Sequence, residues 1–211
     1  MDEPGLAART DVLVVADPST RRLLWVPRDL WCDGIGERVI EAFRRGGADC
    51  LIEALAEHGI PVEHVLCLGR EVTEQALEGL TVNVFVPRRM EFLYPLPGMT
   101  VPEGNRRIVF EPPVEELSGE RIHEWLGARF KLRGPGTDLD RIERQKLFVL
   151  ALLESGFDFA GVMRSRSPGT ISVSSPDALA ELSEVDPGWG LETLDRLVPD
   201  TVDGRYVLRR R

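Results

Sequence analysis

Nine residues, TDLDRIERQ at 137–145, hold two aspartates, a glutamate, two arginines and a glutamine. On a helix, Arg141 and Arg144 stand three residues apart and Gln145 four from Arg141, so the three side chains share one face. Such a face can grip an anion. The same interleaving of acids and arginines also laces an ordinary solvated helix with weak ion pairs. Two further places carry the same residue types: Arg9 and Asp11 lead into the apolar run DVLVVADP, and Arg28 and Asp29 follow the run RRLLWVP. Strand ends and helix N-termini are where α/β proteins collect anionic ligands. Paired aspartates with several arginines are the equipment of diphosphate chemistry. Carboxylates hold Mg²⁺ against phosphate oxygens, and guanidinium groups take the charge that moves to the leaving group.

Composition narrows the field. The 211 residues carry 35 acids against 26 bases, a net charge of −9, which excludes a nucleic-acid surface held by bulk positive charge. Any anion must therefore be bound locally. Among the bases only Lys131 and Lys146 are lysine, and arginine's fixed fork suits a phosphate bidentately where lysine acts as a point charge. Cys32, Cys50 and Cys67 have no paired spacing, which argues against a disulfide framework and against zinc. No apolar run of about 18 residues is present to span a bilayer, and the acidic start MDEPGLAART is not a signal peptide. The chain as given is expected in the cytoplasm; with a preceding anchor it would be extracytoplasmic and membrane-attached.

The elements that must position these residues alternate. DVLVVADP and RRLLWVP read as neighbouring strands, IGERVIEAFRRGG as a helix closed by Gly46 and Gly47, and ADCLIEALAEHGI as a second helix with Gly59 as its C-cap. VEHVLCLG reads as strand, REVTEQALEGL as helix and TVNVFVP as strand, an α/β alternation. Six prolines between 87 and 116 predict an irregular excursion over the surface. LSGERIHEWLGARF and DRIERQKLFVLALLESG read as helices, SPDALAELSEV and GLETLDRLV as short helices, and VDGRYVLRRR as a turn, a strand and a basic tail.

Taken in order, seven pieces resemble the LytR-CpsA-Psr family: RTD at 9–11, VPRD at 26–29, AF..GG at 42–47, GIPVEH at 59–64, LEGLTVNV at 77–84, LSGE at 117–120 and TDLDRIERQ at 137–145. The resemblance implies a three-layer α-β-α sandwich with a central mixed sheet over residues 1–155, with 156–211 as a C-terminal extension packed on the same domain. It also implies a polyprenyl chain in an apolar cavity, with the diphosphate at its mouth; Leu51, Leu55, Leu147 and Leu150 are expected to wall that cavity. By resemblance Asp11 and Asp29 hold Mg²⁺, while Arg28, Arg129, Arg141, Arg144 and Gln145 contact the diphosphate, with Asp138, Arg9 and Arg38 close by. Two departures stand out. Arg38-Val39-Ile40 stands where the family carries Lys-Ile-Asn, and of a paired Arg-x-Arg the first position is Gly127 and the second Arg129.

The activity implied is a Mg²⁺-dependent transferase acting on a polyprenyl-diphosphate-linked glycan, of the cell-wall polymer ligase type. Two other readings stand beside it. One is a soluble enzyme using a smaller prenyl diphosphate or diphospho-sugar in specialised metabolism. The other is a degenerate homologue that holds a polyprenyl phosphate without turning it over. An isoprenoid diphosphate is the expected partner in the first reading and a close relative of it in the others.

Overall fold

Asp17 makes the first turn. Its Oδ1 accepts from the Ser19 backbone N–H at 3.0 Å and from the Ser19 hydroxyl at 2.6 Å, and its Oδ2 accepts from the Thr20 hydroxyl at 2.7 Å. The reversal sets β1 (Val14–Asp17) against β2 (Arg22–Trp25) in antiparallel register, with Val14 opposite Trp25. The computed structural model describes residues 12–68, 77–128, 130–132, 138–158, 171–173, 180, 183–186 and 188–211. The chain folds as two units, Met1–Ala76 with Asp158–Arg211, and Leu77–Phe157.

In the first unit, β3 (Trp31–Cys32) and β4 (Glu37–Arg38) form a short hairpin that feeds α1 (Val39–Ala56), and β5 (Leu66–Leu68) follows. Helix α1 is broken where the sequence predicts a helix end: Gly46 and Gly47 leave helical geometry, Gly47 at φ 67°. Gly59, also at φ 67°, ends the second segment, and the Ile60 N–H returns to the Leu55 carbonyl at 3.2 Å. Leu51, Ala54, Leu55 and Ile60 from this stretch close over Val26, Leu30, Cys32 and Ile40 to make the unit's core.

The second unit contains β6 (Thr81–Phe85), β7 (Met90–Pro95), β8 (Asn105–Phe110), β9 (Val114–Ser118), α2 (Glu120–Gly127), β10 (Phe130–Lys131) and α3 (Asp138–Glu154). Strands β6 and β9 pair antiparallel, and β10-β7-β8 form a separate antiparallel sheet. Phe110 sits between Phe92 and Trp125 in edge contacts, with centroids 6.1 and 4.9 Å away. Arg121 lies over the Phe110 ring and Arg144 over the Phe92 ring.

The chain then returns to the first unit through β11 (Ile171–Val173), β12 (Gly190–Thr193), β13 (Leu197–Val202) and β14 (Arg205–Arg210). Strand β12 pairs parallel to β2, so β1-β2-β12 is a mixed sheet, and β11 pairs antiparallel with β5. The β13–β14 hairpin turns on Asp203 and Gly204, both at positive φ, as the Asp-Gly pair predicts.

The α/β class is as expected, with two local corrections. The stretch 87–116 is not irregular. Met90, Phe92, Ile108 and Phe110 alternate inward along β7 and β8, and the prolines fall at strand ends and in the connections between them. GLETLDRLV is strand, turn and strand rather than helix, because β2 offers a ladder edge that β12 completes. Most of REVTEQALEGL and SPDALAELSEV lies outside the described residues.

Gly59→Ala should destabilise the protein by about 1 kcal/mol, since the left-handed C-cap geometry penalises a Cβ. Gly190→Ala, with no positive φ and open space around the added carbon, should be neutral within about 0.5 kcal/mol. Urea unfolding of both variants checks the contrast.

Candidate functional site

The turn after β2 builds a charged cluster in the first unit. Leu30 N–H closes on the Pro27 carbonyl at 3.0 Å, and the carbonyls of Leu30 and Arg28 then accept from Val39 N–H at 2.7 Å and Ile40 N–H at 3.3 Å. These are the first amides of α1. Backbone therefore does the work of a side-chain cap, and none is present at Arg38. The arrangement lays Arg28 and Asp29 beside the start of α1. Arg38 Nη1 donates to Asp29 Oδ1 at 2.9 Å, and Arg28 Nε stands 3.7 Å from Oδ2. Arg38 Nη2 lies 3.9 Å from Glu41 Oε1, and Arg44 grips the other Glu41 oxygen at 3.0 Å.

The result is an alternating chain, Arg28–Asp29–Arg38–Glu41–Arg44, in which both carboxylates are buried. Buried carboxylates persist only when paired like this. The Asp29 carbonyl also accepts from the Leu208 N–H at 2.8 Å, which pins the turn to β14. Arg38 Nε is buried and makes no hydrogen bond. Sequence reasoning misses Glu41. Its only signal is an acid three residues after Arg38, on the same face at the start of a helix.

In the second unit, Arg141, Arg144 and Gln145 are all buried, so the face they share is not a solvated one. Glu143, on the opposite side, is exposed and pairs with Lys146. The three are not equivalent. Arg144 Nε donates to the Trp125 carbonyl at 2.9 Å, Nη1 to the Asp140 carbonyl at 3.3 Å and Nη2 to the Ala128 carbonyl, while the Trp125 indole N–H donates back to the Arg144 carbonyl at 2.8 Å. Three of its five N–H groups are thus committed to backbone, two of them to carbonyls at the end of α2 that the helix itself leaves unsatisfied. Burial pushes the Arg144 pKa down to about 10, and the group remains charged at neutral pH. Arg141 and Gln145, one helical turn apart, supply the rest of the buried polar face. Asp140 Oδ1 stands 3.6 Å from Arg88.

Arg9, Asp11 and Arg129 lie outside the described residues, as does the side chain of Asp138. Leu51 and Leu55 fill the first unit's core, and Leu147 and Leu150 are half-buried on α3.

Among the described residues no three His, Cys, Asp or Glu side chains form a metal cluster. Asp29 faces two guanidinium groups. Mg²⁺ commonly uses one or two carboxylates together with substrate phosphates. Asp29 is the one expected metal ligand among the described residues, and it does not by itself make a cage.

Arg144→Met should cost about 3 kcal/mol of stability, since it strips buried carbonyls of their donor. Urea denaturation measures it, and a loss below about 1 kcal/mol would show that the clamp is dispensable.

The sequence profile of the LytR_cpsA_psr family matches residues 2–168. No curated protein matches the chain by sequence. Among solved structures, TagV of B. subtilis superposes with a TM-score of 0.65 at 18% identity, over 97% of this chain and 84% of that one. TagT bound to LI-WTA gives 0.63 at 19%, over 96% and 79%. A LytR-CPS2A-psr family protein, YwtF (TagT), with bound octaprenyl pyrophosphate lipid gives 0.61 at 19%, over 97% and 80%. These likenesses carry the fold. With the profile covering most of the sequence, the chain belongs to the LytR-CpsA-Psr family.

Proposed function

We propose that this protein is a transferase that takes an isoprenoid-diphosphate-linked glycan and moves the glycan to an acceptor, in the manner of a cell-wall polymer ligase. The observation that carries the reading is the burial of Arg141 and Gln145 on one face of α3. Charged and amide side chains are rarely sunk this deeply without a polar task. Family membership and the octaprenyl pyrophosphate bound to a protein of the same fold point that task toward a diphosphate.

In this reading, by resemblance to the family, Arg129, Arg141 and Gln145 contact the diphosphate. Arg144 holds α3 to the end of α2 and keeps Arg141 and Gln145 in place. Asp11 and Asp29 would hold Mg²⁺, which when bound neutralises phosphate charge and favours departure of the diphosphate. Arginines stabilise the same developing charge without a proton transfer. Asp29 is oriented by Arg38 and Arg28.

Arg141→Lys keeps the charge and loses the fork, so affinity for a diphosphate should fall by roughly tenfold, the scale of one charge-assisted hydrogen bond. Calorimetric titration with geranylgeranyl diphosphate, with and without Mg²⁺, measures it. Unchanged affinity would remove Arg141 from the site. Turnover measured in parallel separates enzyme from binder: tight binding with no product in any acceptor assay favours the degenerate homologue. Asp29→Asn, rather than alanine, is the variant for the metal side, since it preserves shape next to Arg38. It should abolish the Mg²⁺-dependent part of the binding.

A further inference from the structure

We propose that the tip of the β7–β8 hairpin, residues 96–104, is a small apolar wedge that enters the surface of a lipid bilayer. The inference draws its purpose from the transferase reading above, since a polyprenyl chain keeps such a substrate in a membrane. Its test uses vesicles without any prenyl diphosphate, so the two fail separately.

The tip is apolar and carries no charge at its apex. Residues 95–102 read PLPGMTVP, without a single acid or base. Leu96 and Met99 are 37% and 49% exposed, and Pro97 and Pro102 are exposed beside them. A Cβ added at Gly104 would stand 2.6 Å from Met99 Sδ and 3.3 Å from Leu96 Cδ1, so the two long side chains lie against the same glycine and form one cap. Charge resumes directly behind it, at Glu103, Arg106 and Arg107. Arg106 pairs with Glu120 and Glu124, and Arg107 with Glu91. These arginines are already engaged by carboxylates, so the attraction to a bilayer is apolar rather than electrostatic. Tyr94, on β7 just before the tip, faces Gly127 at the end of α2, where the carbonyls of Trp125 and Ala128 take Arg144. The wedge therefore belongs to the same packed unit as Arg141 and Gln145.

The polar groups of the tip favour lipid over a protein partner. Leu96 N–H donates to the Gly104 carbonyl at 3.1 Å, Met99 N–H to the Leu96 carbonyl at 3.0 Å, and the Glu103 and Gly104 amides to the Thr100 carbonyl at 3.0 Å each. Glu103 folds back on the loop, its Oε2 accepting from the Thr100 amide at 2.7 Å and the Thr100 hydroxyl at 2.6 Å, and Asn105 Nδ2 donates to the Val101 carbonyl at 2.9 Å. Backbone that meets lipid has to satisfy itself in this way, whereas docking of a partner strand needs a row of unpaired edge groups. Gly98, at φ 74°, sets the turn, and a loop already fixed loses little freedom on docking. Area points the same way. A stable protein interface buries about 800 Å² on each partner, which a cap of two long side chains and two prolines does not supply. Entry into the headgroup boundary needs only a few apolar side chains. The unit's other exposed apolar pair, Phe85 opposite Val114, lies on a face that continues as Asn83, Glu116, Thr81 and Ser118 and forms no such cap.

The test is co-flotation of the intact chain with vesicles of phosphatidylcholine, and of phosphatidylcholine mixed with phosphatidylglycerol, across a lipid titration. The unaltered protein should float with both. The double variant Leu96→Ser/Met99→Ser should lower the partition at least about tenfold, the scale of two apolar side chains withdrawn from the interface, with thermal unfolding unchanged because both side chains are exposed. Phe85→Ser/Val114→Ser should leave the partition as it was. Met99→Trp should gain an emission that brominated lipid quenches, and this variant decides should the double variant fail to fold. No flotation of the unaltered protein, flotation with the anionic vesicles alone, flotation that survives Leu96→Ser/Met99→Ser, or an unquenched Met99→Trp each overturns the proposal. A dimer in sedimentation velocity that Leu96→Ser/Met99→Ser dissolves, without flotation, overturns it in favour of a second copy of the chain.

Discussion

The ion pair between Asp29 and Arg38 is the constraint from which the first unit is organised. Asp29 reaches three elements at once: its side chain holds the residue that precedes α1, its neighbours' carbonyls cap that helix, and its own carbonyl takes the Leu208 N–H from β14. A buried ion pair is not in itself a strong source of stability, since desolvation offsets much of the attraction. What it supplies is register. Replace the pair by apolar groups and the turn, the helix start and the last strand would still be near one another, but nothing would fix the two carboxylates against the three guanidinium groups.

The second unit buries a guanidinium by different means. Among the described residues, Arg144 is received by backbone carbonyls and the face of Phe92. Carbonyl dipoles solvate a cation less completely than water, which is why burial lowers the Arg144 pKa. The same contacts satisfy the end of α2, so one side chain closes a helix and fixes the face of another. Arg121 repeats the theme on a smaller scale. It lies over Phe110 and reaches Glu115 and Glu124, so the aromatic core is bracketed by cations on two sides.

Much of this was legible in the sequence, and the misses have physical causes. The strands at 14–17, 22–25, 66–68 and 81–85, the break at Gly46 and Gly47 and the cap at Gly59 follow from local chemistry that tertiary contacts do not override, whereas the short β3–β4 hairpin carries no such signal. The prolines between 87 and 116 mask the period-two alternation of Met90, Phe92, Ile108 and Phe110, yet proline at a strand end costs no ladder bond. GLETLDRLV has leucines at helical spacing, yet a distant partner strand decides its state. Residue type and spacing single out Arg28 and Asp29 in the first unit and Arg141 and Gln145 in the second as candidates, and the structure buries Asp29, Arg141 and Gln145. Type and spacing cannot separate Arg144 from Arg141, because the difference lies in the carbonyl of Trp125, nineteen residues away. Glu41 escapes notice since a glutamate in the first turn of a helix ordinarily needs no explanation beyond the macrodipole.

The parallel pairing of β12 with β2 also bears on how the chain is made. Gly190 lies against Arg22, and between them the polypeptide runs through the whole second unit. A ribosome delivers β2 early and β12 late, so during synthesis β2 has an unpaired edge while Leu77–Phe157 emerges behind it. The second unit, whose contacts lie close together along the chain, can close while still tethered; the first has to wait for its last fifth. Throughout that wait Leu23, Leu24 and Trp25 offer a bare apolar ladder edge to any other strand. The charged turn that follows at once, Arg28 and Asp29, is where such an edge is naturally guarded against a wrong partner.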